Sequence, residues 1–248
     1  MANKKKEIED TSNARRFIDA YNKIDHSLRA QYNLKRGQTY SDVIRRCSSL
    51  NSIVRKFEDA LIDYGRLRNA IIHKGDDNLI IAEPHLSAVE HFEKLCELIC
   101  TPPFAINSVG RNNVLTVANN VSLREVIALM SKTGFSNIPV YNENTLTGVA
   151  NGQKIMNFIG EKINRKANID KVLSETKIDE VVHPSASEMY YTLAGEKLTI
   201  EEALNMFYNN RKLLVIIITK TGDYAEPALG IISVTDIIDL NAILDTFN

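Results

Sequence analysis

Two short stretches of this chain combine residue types and spacings that could do chemistry. In Gly230-Ile231-Ile-Ser233-Val-Thr235-Asp236, two hydroxyls and a carboxylate follow an apolar, strand-like run. A helix starting at the end of a strand offers free backbone N–H groups to a phosphate. Ser233 and Thr235 would add hydroxyl donors, and the Asp236 carboxylate can accept from both hydroxyls of a ribose. Without a ligand, the same Ser233 and Asp236 simply cap the last helix. The second stretch is Arg68-Asn69-x-x-x-His73, late in a long helical pattern. Histidine titrates near neutrality and suits general acid–base work, and arginine stabilises a charged, phosphorane-like transition state. Five residues along an ideal helix rotate by about 140°, so Arg68 and His73 converge only if the helix bends or frays near Gly75. In the structural alternative, Arg68 pairs with a carboxylate and His73 satisfies the helix C-terminus.

The rest of the chain must position these groups. Its 248 residues suit one large domain or two small ones, and 44% hydrophobic with 25% charged residues is an ordinary globular composition. Net charge is −1, but residues 1–74 hold 16 Lys/Arg against 9 Asp/Glu, a basic front that would attract RNA. No apolar run approaches the roughly 20 residues of a membrane span, and no apolar segment follows the basic N-terminus as in a signal peptide. Three cysteines cannot all pair. Cys96 and Cys100 fit two reduced thiols on one helix face, which points to the cytosol. His85 and His91 lack zinc-site spacing and read as helix surface or packing, so no metal is expected.

Residues 6–100 read as helical, with apolar positions at three- and four-residue steps. One run, Val54, Phe57, Leu61, Tyr64, Leu67 and Ile71, predicts a single helix stopped at Gly75–Asn78. Tyr40-Ser41-Asp42 supplies a cap, and Pro84 is placed in the first turn of a last helix. Thr101-Pro102-Pro103 ends the helical part, giving domains of 1–101 and 102–248. Beyond that boundary the pattern is strand, helix, strand, strand, helix, and it occurs twice. Ser122-x-x-Glu125 and Thr199-x-x-Glu202 are capping boxes 77 residues apart. At the same offset Ile138–Tyr141 matches Val215–Ile218, and Gly148–Ala150 corresponds to Gly230–Ile232 before the last helix of each copy. Neither half can bury both sheet faces alone, so the two should pack together.

This order of elements, ending in Gly-apolar-apolar-Ser/Thr-x-x-Asp, resembles the CBS domain, and two in tandem resemble a CBS pair (about 103–165 and 178–248). The resemblance implies an adenosine-bearing ligand (AMP, ADP, ATP or S-adenosylmethionine), bound through Gly230, Ile231, Ser233, Thr235 and Asp236. The first copy departs from the pattern. Asn151 stands for the hydroxyl and Lys154 for the ribose-binding acid, so one competent site per chain is expected, with Lys154, Arg211 and Lys212 as candidate phosphate partners. The helical part resembles HEPN domains. That resemblance implies a homodimer and, with Arg68, Asn69 and His73 as catalytic residues, a metal-independent endoribonuclease.

The fold expected is therefore α+β, an all-α HEPN-like bundle followed by paired βαββα repeats. The function expected is an adenine-nucleotide sensor controlling a dimeric helical domain, with possible RNA cleavage as output. Two alternatives stand beside it: a non-catalytic sensor whose helical domain docks a partner, and a repeat pair kept only as an oligomerisation scaffold.

Overall fold

The computed structural model describes residues 12–35, 37–72, 80–108, 114–182 and 190–247. The chain divides into two compact units, Met1–Pro103 with Asn241–Asn248, and Phe104–Leu240.

The first unit is built from α1 (Asn13–Gln31), α2 (Tyr40–Ser48), α3 (Ser52–Lys56), α4 (Glu58–Ile71) and α5 (Leu86–Cys100). Phe17, Ala20, Ile24 and Leu28 make one buried stripe on α1, the spacing a helix needs to bury one face. Phe17 of α1, Tyr64 of α4 and Phe92 of α5 meet with ring centroids 4.6–5.6 Å apart. These aromatic contacts tie three helices into one core. Gly65 lets a fourth element in. A Cβ there would lie 2.7 Å from the Tyr40 ring, which in turn stacks on Tyr21.

Three details of the helical reading need correction. The run from Val54 to Ile71 is two helices, because Phe57 (φ −108°, ψ 18°) leaves helical geometry while its ring stays buried. The cap of α2 is Thr39, which exchanges bonds with Asp42. Pro84 stands outside α5, whose N-cap is His85, accepting from the Ser87 N–H.

The second unit contains two three-stranded sheets. The first has β1 (Val117–Ala118), β2 (Asn137–Asn142) and β3 (Thr145–Asn151); the second has β4 (Tyr191–Gly195), β5 (Val215–Thr219) and β6 (Gly230–Ser233). In each, the first pair is parallel and the second antiparallel. The parallel crossovers are α7 (Leu123–Thr133) and α11 (Ile200–Asn209), and both open on the expected capping boxes, Ser122/Glu125 and Thr199/Glu202. The last strand of each sheet runs into α8 (Gly152–Asn164) or α12 (Asp236–Asp245).

The two halves pack together. Tyr141, Leu146 and Val149 of the first sheet share an apolar cluster with Tyr190, Tyr191, Val215 and Ile217 of the second copy. Besides α9 (Ile169–Glu175), two short helices, α6 (Ala105–Ser108) and α10 (Asp179–Val182), complete the repeat in an exchanged arrangement. Ile106 of α6 lies against Gly230 in the second sheet, and Val182 of α10 lies against Gly148 in the first. The segments leading into them bond correspondingly: Ala105 N–H donates to Leu198 O, and Ile178 N–H to Val121 O.

Candidate functional site

The end of β6 and the start of α12 form the core of the candidate site. The Asp236 carboxylate, nearly buried, accepts through Oδ2 from the Ser233 N–H and from the Ser233 hydroxyl, each at 2.7 Å. Thr235 Oγ1 lies 2.7 Å from Ser233 Oγ. This ties the end of β6 to the start of α12, one half of the cap foreseen for Ser233 and Asp236. It does not exhaust the carboxylate. Among the described residues no hydrogen bond is made by Oδ1, which keeps its lone pairs for another donor.

A cavity of about 200 Å³ opens beside this cap. Its walls are Val114, Leu115, the turn Gly134–Asn137, and Ile231, Ser233, Thr235 and Asp236. The turn is shaped by Gly134, whose φ of +72° ends α7 in a left-handed cap that a side chain would strain. Leu115, Phe135 and Ile231 supply apolar surface, while Ser233, Thr235 and Asp236 gather hydroxyls and a carboxylate at one side. An apolar wall with a few convergent polar groups suits a flat, hydrophobic body carrying vicinal hydroxyls. The volume is below the roughly 300–1,000 Å³ usual for ligand pockets, so it would enclose only part of a drug-sized ligand.

Of the residues singled out in the sequence, Ile231, Ser233, Thr235 and Asp236 line this cavity, and Gly230 does not. Gly230 is buried where a Cβ would come within 3.2 Å of Ile106, so it makes room for α6. Sequence reasoning missed Leu115 and Phe135, which reach the site from the other copy. Neither belongs to a motif that would mark it in the sequence.

The pseudo-equivalent place in the first copy is built differently. Asn151 caps α8: its Oδ1 accepts from the Lys154 N–H at 3.1 Å, and its Nδ2 donates to Asn137 Oδ1 at 2.7 Å. Lys154 Nζ lies 5.2 Å from the centroid of the Tyr190 ring, within cation–π range. The Tyr190 hydroxyl donates to Val149 O. Where the second copy presents a carboxylate, the first has an ammonium group set over an aromatic ring.

In the helical unit, Arg68 is half-buried near the end of α4, with its guanidinium carbon 5.3 Å from the Tyr21 ring centroid. It makes no ion pair among the described residues, and its buried Nε has no hydrogen-bond partner there. Asn69 is exposed. The helix stops at Ile71 because Ile72 turns extended and bridges to Ile80. His73 lies outside the described residues, as does the Gly75 end. His91 is held by the Tyr64 hydroxyl through Nδ1, a packing role as expected. Among the described residues no three His, Cys, Asp or Glu side chains gather as a metal site, and no helix is long and apolar enough to cross a membrane.

Comparison with curated proteins finds no match. Among solved structures, the chain is similar to a protein assigned to acetoin utilization from Vibrio cholerae, at 14% identity and TM-score 0.45, over 58% of this chain and 94% of the other. It is also similar to the CBS domain of a bacterial CNNM/CorC family Mg2+ transporter solved with ATP, at 18% identity and TM-score 0.43, over 62% and 95% of the two chains. A third is a CBS domain pair solved with 5′-methylthioadenosine and S-adenosyl-L-methionine, at 15% identity and TM-score 0.42, over 56% and 98%. A family model described as the CBS domain matches residues 106–161, the copy that carries Asn151 and Lys154.

Proposed function

We propose that this chain is a regulatory sensor in which the paired-repeat unit takes one adenosine-bearing ligand and the helical unit, as a cytosolic homodimer, carries the output. The carrying observation is the cavity in which Ser233, Thr235 and Asp236 converge opposite Leu115 and Phe135. The CBS match over 106–161 and the repeated order of elements support it, because CBS pairs bind adenosine-bearing ligands between their halves. Asp236 would hold the ribose hydroxyls, Ser233 and Thr235 a phosphate, and the apolar wall the base. Coupling to the helical unit requires that the ligand bind one arrangement of the dimer better than another.

For the output, the docking-module reading rests on the packing of Arg68 against Tyr21 within the helical core. The endoribonuclease reading keeps one observation: the exposed Asn69 beside Arg68 on a basic unit. Calorimetric titration with AMP, ADP, ATP and S-adenosylmethionine tests the sensor, and saturable binding of none of them overturns it. Incubation of the wild type and His73→Ala with mixed RNA separates the two outputs. Cleavage lost in the variant establishes the nuclease, and absent or unchanged cleavage leaves the docking module.

A further inference from the structure

Away from the nucleotide cavity, the helical unit carries a second chemical cluster. Cys96 and Cys100 lie one turn apart at the end of α5 with their sulfurs 3.9 Å apart, and both are reduced. They open onto a surface cleft whose walls come from α1 (Arg16, Asp19, Ala20, Lys23) and α5 (Glu93, Glu97). Cys100 is the more accessible sulfur and Cys96 the buried one. Arg16 is engaged with Glu93 at 2.6 Å, which largely neutralises that acid of α5.

We propose that Cys100 is a peroxide-reactive thiol and that Cys96 resolves it into an intrahelical disulfide. In the first step the Cys100 thiolate attacks one oxygen of a hydroperoxide. The O–O bond breaks, sulfur gives up two electrons to become a sulfenic acid, and the second oxygen leaves as an alcohol or water after taking a proton. In the second step the Cys96 thiol, losing its proton, attacks the Cys100 sulfur. The S–O bond breaks and water departs.

Several features suit this division of labour. Hydrogen bonding from Cys96, with further help from Ser27 and the Lys23 charge, outweighs burial and brings the Cys100 thiol down to about 7. The same bond, together with burial, pushes Cys96 upward, so the buried partner stays protonated until it is needed. Of the charged groups lining the cleft, Asp19, Glu93 and Glu97 oppose the thiolate, and Arg16 and Lys23 favour it. Cβ atoms one turn apart on a helix are about 5–6 Å apart, whereas a disulfide needs roughly 3.5–4.5 Å. The pair therefore closes only if the last turn gives way. That turn is the end of α5, followed directly by Thr101 and two prolines that cannot continue the helix. Cys47 serves as an internal control, because burial raises its thiol to about 11. At neutral pH the thiolate form therefore favours Cys100 over Cys47, an advantage that its lower intrinsic nucleophilicity only partly offsets.

The test exposes the full chain to hydrogen peroxide, alkylates the remaining thiols, and reads tryptic peptides by mass. Cys96 and Cys100 share peptide 95–111, and Cys47 lies in peptide 47–55. The expected result is a peptide 95–111 lighter by two hydrogens and unalkylated, while Cys47 is alkylated as before. Cys96→Ser should accumulate a dimedone-reactive sulfenic acid at Cys100, Cys100→Ser should leave Cys96 reduced, and Lys23→Gln should slow the reaction severalfold. The proposal is overturned if Cys47 oxidises as fast as Cys100, if Cys100→Ser does not protect Cys96, or if a sulfenic acid at Cys100 persists in the wild type.

Discussion

Asp236 accepts from the Ser233 backbone N–H and from the Ser233 hydroxyl through the same oxygen, each at 2.7 Å. One carboxylate thus closes the helix and faces the cavity. The two tasks separate by mutation. Asp236→Ala removes both bonds to Ser233, costing about 1–3 kcal/mol, and weakens binding of the adenosine ligand by at least about tenfold. Asp236→Asn keeps an accepting oxygen for Ser233, so melting should hardly move while affinity still falls. Thermal melting and calorimetry on both variants check this. Equal affinity in all three proteins would remove Asp236 from the site.

Stoichiometry should be one ligand per chain. Lys154 holds the pseudo-equivalent place over Tyr190, and an ammonium cannot accept from ribose hydroxyls. Equilibrium dialysis of the wild type should saturate at one equivalent. Lys154→Ala should leave that number unchanged and cost at most about 1 kcal/mol of stability, the scale of a partly exposed cation–π pair.

Glu201 gives the second unit a pH dependence. Burial pushes its carboxyl up to about 7, with repulsion from Glu202 adding to it and the bond from Asn205 opposing. The folded state therefore holds a proton that the unfolded chain has released. Stability is fully present below the ordinary glutamate range and falls as pH rises toward 7, after which it levels off. Glu201→Gln keeps an oxygen for Asn205 and removes the titration. Its melting temperature should exceed the wild type's at pH 8 and approach it at pH 4.5, with a gap of a few kcal/mol at the high end.

Glycine substitutions separate tight sites from open ones. Gly65→Ala would drive a Cβ to 2.7 Å from the Tyr40 ring, and the repacking should cost about 1–3 kcal/mol. Gly37→Ala meets nothing within 4 Å. Denaturant unfolding should show the first variant clearly destabilised and the second within about 0.5 kcal/mol of wild type.

What the sequence made legible was local chemistry. The boxes at Ser122 and Thr199 each depend on a residue three places away, and the 77-residue offset recurs in the matched strands. The break at Phe57 could not be read, because the apolar spacing continues through it and only tertiary packing bends the backbone there. The short helices α6 and α10 carry too few residues to show a period. Gly230 has a strand's local surroundings, and its role as the seat of Ile106 depends on a residue more than a hundred positions away. For the candidate site, the hydroxyls and carboxylate of one segment were legible, whereas Leu115 and Phe135 join them only through the packing of the two copies.

The exchange of α6 and α10 makes the two repeats unequal during synthesis. Val182 reaches Gly148 within its own stretch of chain, so this contact needs nothing synthesised after residue 182. Ile106 emerges earlier but has no seat until Gly230 follows it. A fragment ending at 182 carries every piece of its own sheet, while one starting at 190 lacks the helix that covers Gly230. Order of emergence, rather than any difference in sheet topology, sets which sheet receives its short helix first, while both still share one apolar cluster.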